Sequence, residues 1–253
     1  MDGVIDLARA RELVGNAALW PRVRDFLWDF APQVHASWLE SLENLELLEQ
    51  QAQASGLEQR SGLVALDSPR VKSWLLKELG VTPCFHDFPK EDGSRLLLLD
   101  GATLEKVVQW LGALACADEL RRVTDGATVR ALRSALPGVY PDVFGYTAYF
   151  RGNDFQRRDA ETQRLEERVP ATGLGLLLSA VSGLPTSLVS RLTFKLPKKL
   201  CASPLLGHPL RGQASPGGYA PLRFKDNTAQ VAISVVLKLF KLKFPEAYSL
   251  CCS

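Results

Sequence analysis

Histidine and cysteine are scarce in this chain, and each shortage removes a class of chemistry. Three histidines, at positions 35, 86 and 208, leave little from which to build a nucleophile–base pair. His35 reads as a mid-helix residue and His86 and His208 as loop residues, so a Ser–His or Cys–His pair would have to form by remote convergence. The five cysteines (84, 116, 201, 251 and 252) are odd in number and irregular in spacing, which argues for reduced thiols over a disulfide framework. Cys84-Phe85-His86 is the one place where Cys and His come together, and two ligands do not make the four-ligand site that zinc wants. Long apolar runs are missing too. The longest, Gly173–Leu184, has 12 residues, short of the ~20 a membrane span needs. The stretch Arg95–Leu120 is broken by Asp100, Glu105, Lys106 and Asp118. Met1–Ala10 carries Asp2 and Asp6 and no basic segment ahead of an apolar one, so no secretory signal is expected. A cytoplasmic protein that does not insert into a membrane is the expectation.

Signature motifs are absent as well. There is no G-x-x-x-x-G-K-[ST], no H-E-x-x-H, no paired C-x-x-C and no G-x-S-x-G. Gly173-Leu174-Gly175 is followed by leucines and lacks the spacing of a dinucleotide fingerprint. The terminal Cys251-Cys252-Ser253 does not put a cysteine four from the end, so prenylation fails. Neither catalysis, metal, cofactor nor small-molecule substrate is expected.

What is present is an ordinary globular composition with an uneven charge layout. Of 253 residues, 46% are hydrophobic and 23% charged, which excludes general disorder. The net charge of +2 is too small to imply a polyanionic partner. Yet residues 1–50 hold four Lys/Arg against nine Asp/Glu, whereas 181–253 hold ten against two. Such opposed ends pair within the fold or face different partners.

Helical periodicity dominates. Val23, Phe26, Leu27 and Phe30 form a stripe over Pro21–Ala31, with Pro at the first turn and Pro32 at the end. Val34–Gln53 continues as a helix with Trp38, Leu42, Leu45 and Leu48 on one side and Glu40, Glu43, Glu46 and Glu49 on an acidic flank. Ser68 caps a short helix to Leu79, and Val81–Arg95 is a loop. Leu96–Leu99 is a short strand or a buried lead-in. Asp100 or Thr103 caps a helix carrying Val107, Val108, Trp110, Leu111, Gly112 and Leu114. Asp118–Val123 continues or kinks it, and Asp125 caps Ala127–Leu136. Trp110, Leu111, Gly112 and Leu114 are assigned to the core, and glycine inside this helix, costing ~1 kcal/mol against alanine, points to close helix packing. Tyr140–Phe150 is aromatic without interleaved Lys or Arg, which favours core packing over a base-stacking platform. Gly152–Arg168, of mixed sign, reads as an exposed helix, and Ser203–Leu222 as a Pro/Gly loop. Ala229–Phe244 alternates in a way that permits a strand, but its length without Gly or Pro favours a helix. The fold class is mainly α, a compact multi-helix orthogonal bundle with at most a short strand pair.

Candidate binding residues follow from charge. Arg191, Lys195, Lys198 and Lys199 form one basic patch and Lys238, Lys241 and Lys243 another, suited to a phosphate backbone or to an acidic protein surface. Arg121 and Arg122 serve either the helix macrodipole or a partner.

Leu104 through Leu114, with Trp110-Leu111-Gly112 at its centre, continuing to Glu119-Leu120-Arg121-Arg122-Val123, resembles the SctK/YscK proteins of bacterial type III secretion systems. So do Leu19-Trp20-Pro21 to Pro32, the Arg191–Pro197 element, and Ala229 to Pro245. The resemblance implies one SctK-like domain over 1–253, in which 151–168 and 203–222 stand as insertions. It further implies a non-enzymatic adaptor that joins the inner-membrane ring protein's cytoplasmic domain to the pod protein of the sorting platform. The basic residues would meet one partner and Glu40, Glu43 and Glu46 the other. A helical nucleic-acid-binding protein using the basic C-terminal third is the alternative.

Overall fold

Backbone hydrogen-bond demand and apolar spacing make the described residues of this chain mainly helical. The computed structural model describes residues 7–40, 69–81, 85–150, 164–202 and 229–252, and among them no strand occurs. Helix α1 (Leu7–Val14) leads to α2 (Trp20–Leu27), which has Pro21 in its first turn and buries Val23, Phe26 and Leu27. α2 is shorter than the apolar stripe suggests. The Phe26 and Leu27 carbonyls, which a longer helix would offer to Phe30 and Ala31, accept from the Arg191 side chain. The chain then takes a 3₁₀ turn at Ala31–Gln33, where Pro32 sits, and Phe30 is still buried. His35, expected mid-helix, is the N-cap of the short α3 (Ala36–Leu39), its ring nitrogen accepting from Ser37 N–H. The remainder of the expected Val34–Gln53 helix, with Glu43, Glu46 and Glu49, lies outside the described residues. α4 (Pro69–Glu78) packs on the Ala31–Gln33 turn.

The run Leu96–Leu99 is not a strand. Ser94–Leu98 is a 3₁₀ helix whose five residues are all buried, and α2 and two later helices converge on it. α5 (Gly101–Ala115) follows at once, capped by the Asp100 carboxylate, which accepts from Thr103 N–H at 2.8 Å. α6 (Ala117–Arg122) is a separate short helix, set off at Cys116. α7 (Gly126–Ala135) is capped by Asp125 through Thr128 N–H at 2.7 Å. Two 3₁₀ turns, Asp142–Gly145 and Thr147–Phe150, carry the aromatic segment.

Of the segment Gly152–Arg168, expected as an exposed helix, residues 152–163 lie outside the described residues and the end belongs to a helix, α8 (Leu165–Ala180). The segment's C-terminal residues, 165–168, are the first turn of the helix that buries Val169 and most positions from Ala171 to Leu177. Arg168 is held against the protein by an ion pair with Glu119 of α6. α9 (Thr186–Phe194) and α10 (Lys198–Cys201) follow, then α11 (Ala229–Lys243) and α12 (Pro245–Cys252). The expected C-terminal helix is therefore a helix.

Among the described residues α5 and α8 make the most extensive contact between helices, and α11 packs on the same α8. The crossing of α5 and α8 is set by Gly112 and Gly173. A β-carbon on Gly112 would fall on the Val169 carbonyl oxygen, and one on Gly173 on that of Val108. Backbone therefore meets backbone, an approach no larger residue permits. Trp110, Leu111 and Leu114 are buried on either side of this point. One cluster of buried apolar side chains runs from Leu19 in the first helices to Cys251 in the last.

Candidate functional site

The basic residues singled out in the sequence separate into two classes in three dimensions. Arg191 and Lys195 are internal, 1% and 2% exposed, and so do not form a surface patch with Lys198 and Lys199. Their burial answers a local demand. Helix and 3₁₀ termini leave carbonyl groups without intrahelical donors, and in the core no water can supply them. Arg191 Nη1 donates to the carbonyls of Phe26 and Leu27 at the end of α2, with its guanidinium 5.6 Å from the Phe26 ring centre and 5.4 Å from that of Phe30. Lys195 Nζ donates to the carbonyls of Leu97 (2.7 Å) and Leu99 (2.9 Å) at the end of the buried 3₁₀ turn, 4.8 Å from the Phe26 ring centre. Arg95 repeats the device, its Nε donating to Phe88 carbonyl at 3.0 Å. Burial pulls Lys195 down to about 7 although Asp100 opposes it, and Arg191 and Arg22 add to the lowering. The pattern was readable in principle. Leu188, Arg191, Leu192 and Lys195 fall at i, i+3, i+4 and i+7, the spacing of one buried helix face.

Lys238, Lys241, Lys243, Arg121 and Arg122 belong to the second class. Arg121, Arg122, Lys238 and Lys241 are exposed and Lys243 is half-buried. The aromatic segment lacked interleaved cations in sequence, but the fold brings them in from two other helices. Lys243 Nζ lies 4.4 Å from the Trp110 ring centre and 4.1 Å from that of Tyr146. Lys238 Nζ lies 5.4 Å from the Phe150 ring centre, and the Arg121 guanidinium 5.6 Å from that of Phe144. Arg121 also donates to Thr147 Oγ1 and sits 3.5 Å from Asp118. Tyr146 packs edge-on against Trp110 and tilted against Tyr149, a residue 54% exposed. The segment is thus part core, as expected, and part a cation-ringed surface that linear spacing did not reveal.

Lys198 stands 5.8 Å over the Trp38 ring, beside the exposed Lys199. Trp38 is fixed by its own Nε1–H donating to Leu196 carbonyl at 2.9 Å and by edge-on packing with Phe194. Glu40 is exposed just after α3, and Glu43 and Glu46 lie outside the described residues. Cys84 and His208 do also, while His86 pairs with Asp92 at 2.8 Å. Among the described residues no group of three or more His, Cys, Asp or Glu is placed to hold a metal ion. Burial pushes the Cys201 and Cys251 thiols up to about 12, leaving both protonated at neutral pH. A cleft of about 210 Å³ beside α12 carries Arg22, Asp100 and Glu246 on its walls, with neither His, Cys nor Ser among the described residues that line it. Among the described residues no helix is long and apolar enough to cross a membrane.

A family model described as YOP proteins translocation protein K (YscK) matches residues 25–251, from within α2 to within α12. No curated protein and no solved structure matches the chain.

Proposed function

The chain belongs to the YscK family of type III secretion proteins, and from that premise we propose that it is a non-enzymatic adaptor of the secretion sorting platform. In this reading it works at the cytoplasmic face of the inner membrane and joins the ring protein's cytoplasmic domain to the pod protein. The match over residues 25–251 carries the proposal, because it spans the helical body from α2 to α12 and not one motif. An adaptor needs two separate faces on a rigid body. The Gly112–Gly173 crossing and the buried carbonyl-capping cations supply rigidity. Arg121, Arg122, Lys198, Lys199, Lys238, Lys241 and Lys243 offer basic surface to one partner, and the acidic sequence with Glu40, Glu43 and Glu46, of which only Glu40 is among the described residues, is assigned to the other. Complementary charge of this kind steers encounter and sets register more than it adds affinity.

The aromatic faces favour this reading over nucleic-acid binding. Base stacking needs open rings, and those of Trp110, Phe144, Tyr146 and Phe150 already carry the chain's own cations. The test is co-expression of the full chain with the pod protein and the ring protein's cytoplasmic domain from the same genome, followed by size exclusion. Co-elution of all three is expected. A folded, monomeric chain that binds neither partner overturns the adaptor role.

A further inference from the structure

We propose that the surface built by the 144–150 turns, the end of α6 and the C-terminal half of α11 is a docking site for an acidic protein segment, with Tyr149 as its apolar anchor. The inference rests on the adaptor reading and deepens it by assigning one partner to one surface.

Three parts of the chain, distant in sequence, meet here through direct contacts. Arg121 of α6 reaches Phe144 and Thr147, Lys243 of α11 reaches Tyr146, Lys238 of α11 reaches Phe150, and Tyr146 packs on Tyr149. Arg122 and Lys241 are exposed on the same two helices. Three cations therefore border seven consecutive residues, and two more stand exposed on the helices that supply them. Among the described residues of these elements, Asp118, 3.5 Å from Arg121, and Asp142 at the start of the 142–145 turn stand against them, once Glu119 is assigned to its pair with Arg168. The positive excess selects an acidic ligand, while the two carboxylates tell against a uniformly charged polyphosphate strand.

The site is also prepared for binding. Long Lys and Arg side chains lose rotamer freedom when a partner immobilises them, which costs about 0.5–1.5 kcal/mol each. Here Lys238, Lys243 and Arg121 already rest on aromatic rings in the unbound chain. Packed on Tyr146 beside these cations, Tyr149 is 54% exposed and has the features of a binding hot spot: a large, stiff, amphipathic side chain next to charged ones. Its neighbours in the cluster are buried or half-buried, so the exposure is particular to this ring.

The experiment titrates the full chain against the pod protein and, separately, the ring protein's cytoplasmic domain, at low and at high salt. The variants are Tyr149→Ala and the triple reversal Arg122→Glu/Lys238→Glu/Lys241→Glu, with Lys77→Glu, at an exposed position of α4 away from both basic places, as the control. The proposal expects both the reversal and Tyr149→Ala to weaken one partner by roughly tenfold or more, to leave the other partner within about twofold, and the control to change neither. Should the reversal fail to fold, as judged by its thermal melt, the neutral set Arg122→Gln/Lys238→Gln/Lys241→Gln replaces it. Wild-type binding that no variant of this surface alters overturns the proposal and leaves the adaptor reading standing. If neither partner binds the wild type, the adaptor reading falls, and a labelled poly-glutamate peptide and an oligothymidylate of equal length decide the surface. Binding of the peptide that the reversal abolishes supports an acidic-protein site. Tighter binding of the oligonucleotide, or binding of neither probe, overturns it.

Discussion

At the scale of single residues, the side chains that matter most to this fold are cations in its interior. Arg191 serves two carbonyls at the end of α2, reaching both from one nitrogen of its guanidinium while lying over the neighbouring Phe26 and Phe30 rings. Arg191→Met should cost about 2–5 kcal/mol, because it strands two buried acceptors. Arg191→Lys should recover only part of the loss, and urea unfolding measures both. Lys195 carries a pH signature. Its folded pKa of about 7 lies below the ordinary 10.5, so between these values the unfolded chain holds more protons than the folded one. Stability should therefore rise with pH across that window, by up to ~1.4 kcal/mol per pH unit and by roughly 5 kcal/mol in all. Below pH 7 the cost of the buried charge is fully present. Lys195→Met should flatten the slope, and an unfolding series from neutral to alkaline pH reads it. The spacing of Lys195 with Leu188 and Leu192 permits its burial but does not establish it, since a charged letter in a sequence reports chemistry and not depth.

At the scale of elements, one crossing and two caps decide the architecture. Gly112 in α5 and Gly173 in α8 meet carbonyl oxygens of the opposite helix, so Gly112→Ala or Gly173→Ala must push two helices apart. Overpacking commonly costs 1–3 kcal/mol, and a clash against rigid backbone belongs at or above the top of that range. Gly126→Ala is the matched control. A β-carbon there meets only the end of the Arg130 side chain at 3.6 Å, and the melting temperature should stay near that of the wild type. The caps are gentler. Asp100→Ala should cost ~1 kcal/mol. Burial alone would raise the Asp100 pKa, but the Thr103 bonds outweigh it and hold the carboxyl below its usual range, as the Thr128 bonds do for Asp125. The stability these caps supply is present above the ordinary carboxylate range and is lost as pH falls through their lowered values, which acid titration of the helical circular dichroism will follow. The Asp125 cap, Asp100 as one of two cap candidates, and the Gly112 packing were legible in sequence, because an Asp three residues before Thr103 or Thr128, and a glycine amid leucines, are local patterns. The true end of α2 was not, because a residue 164 positions away claims its last carbonyl.

At the scale of the whole molecule, one apolar cluster joins helices from both ends of the chain. Calorimetry should show a single unfolding transition whose van't Hoff and calorimetric enthalpies agree. Two separated transitions would mean that the chain is not one domain. Removing α12 should abolish that transition, since it strips Ala247 and Cys251 from the cluster and uncovers the buried 3₁₀ turn on which α12 packs.

The sequence by itself determined the helical class, the position of most helices, the residues of the α5 core and the family, because periodicity, capping and motif spacing are properties of neighbours along the chain. Tertiary structure alone decided which cations are internal carbonyl caps and which ring the aromatic turns. It made that division by bringing Arg191 to α2, Lys195 to the 94–98 turn, and Lys238 and Lys243 to residues 144–150. Such pairings depend on which unsatisfied carbonyl or open ring face lies across the fold, and long-range burial, not local spacing, sets that.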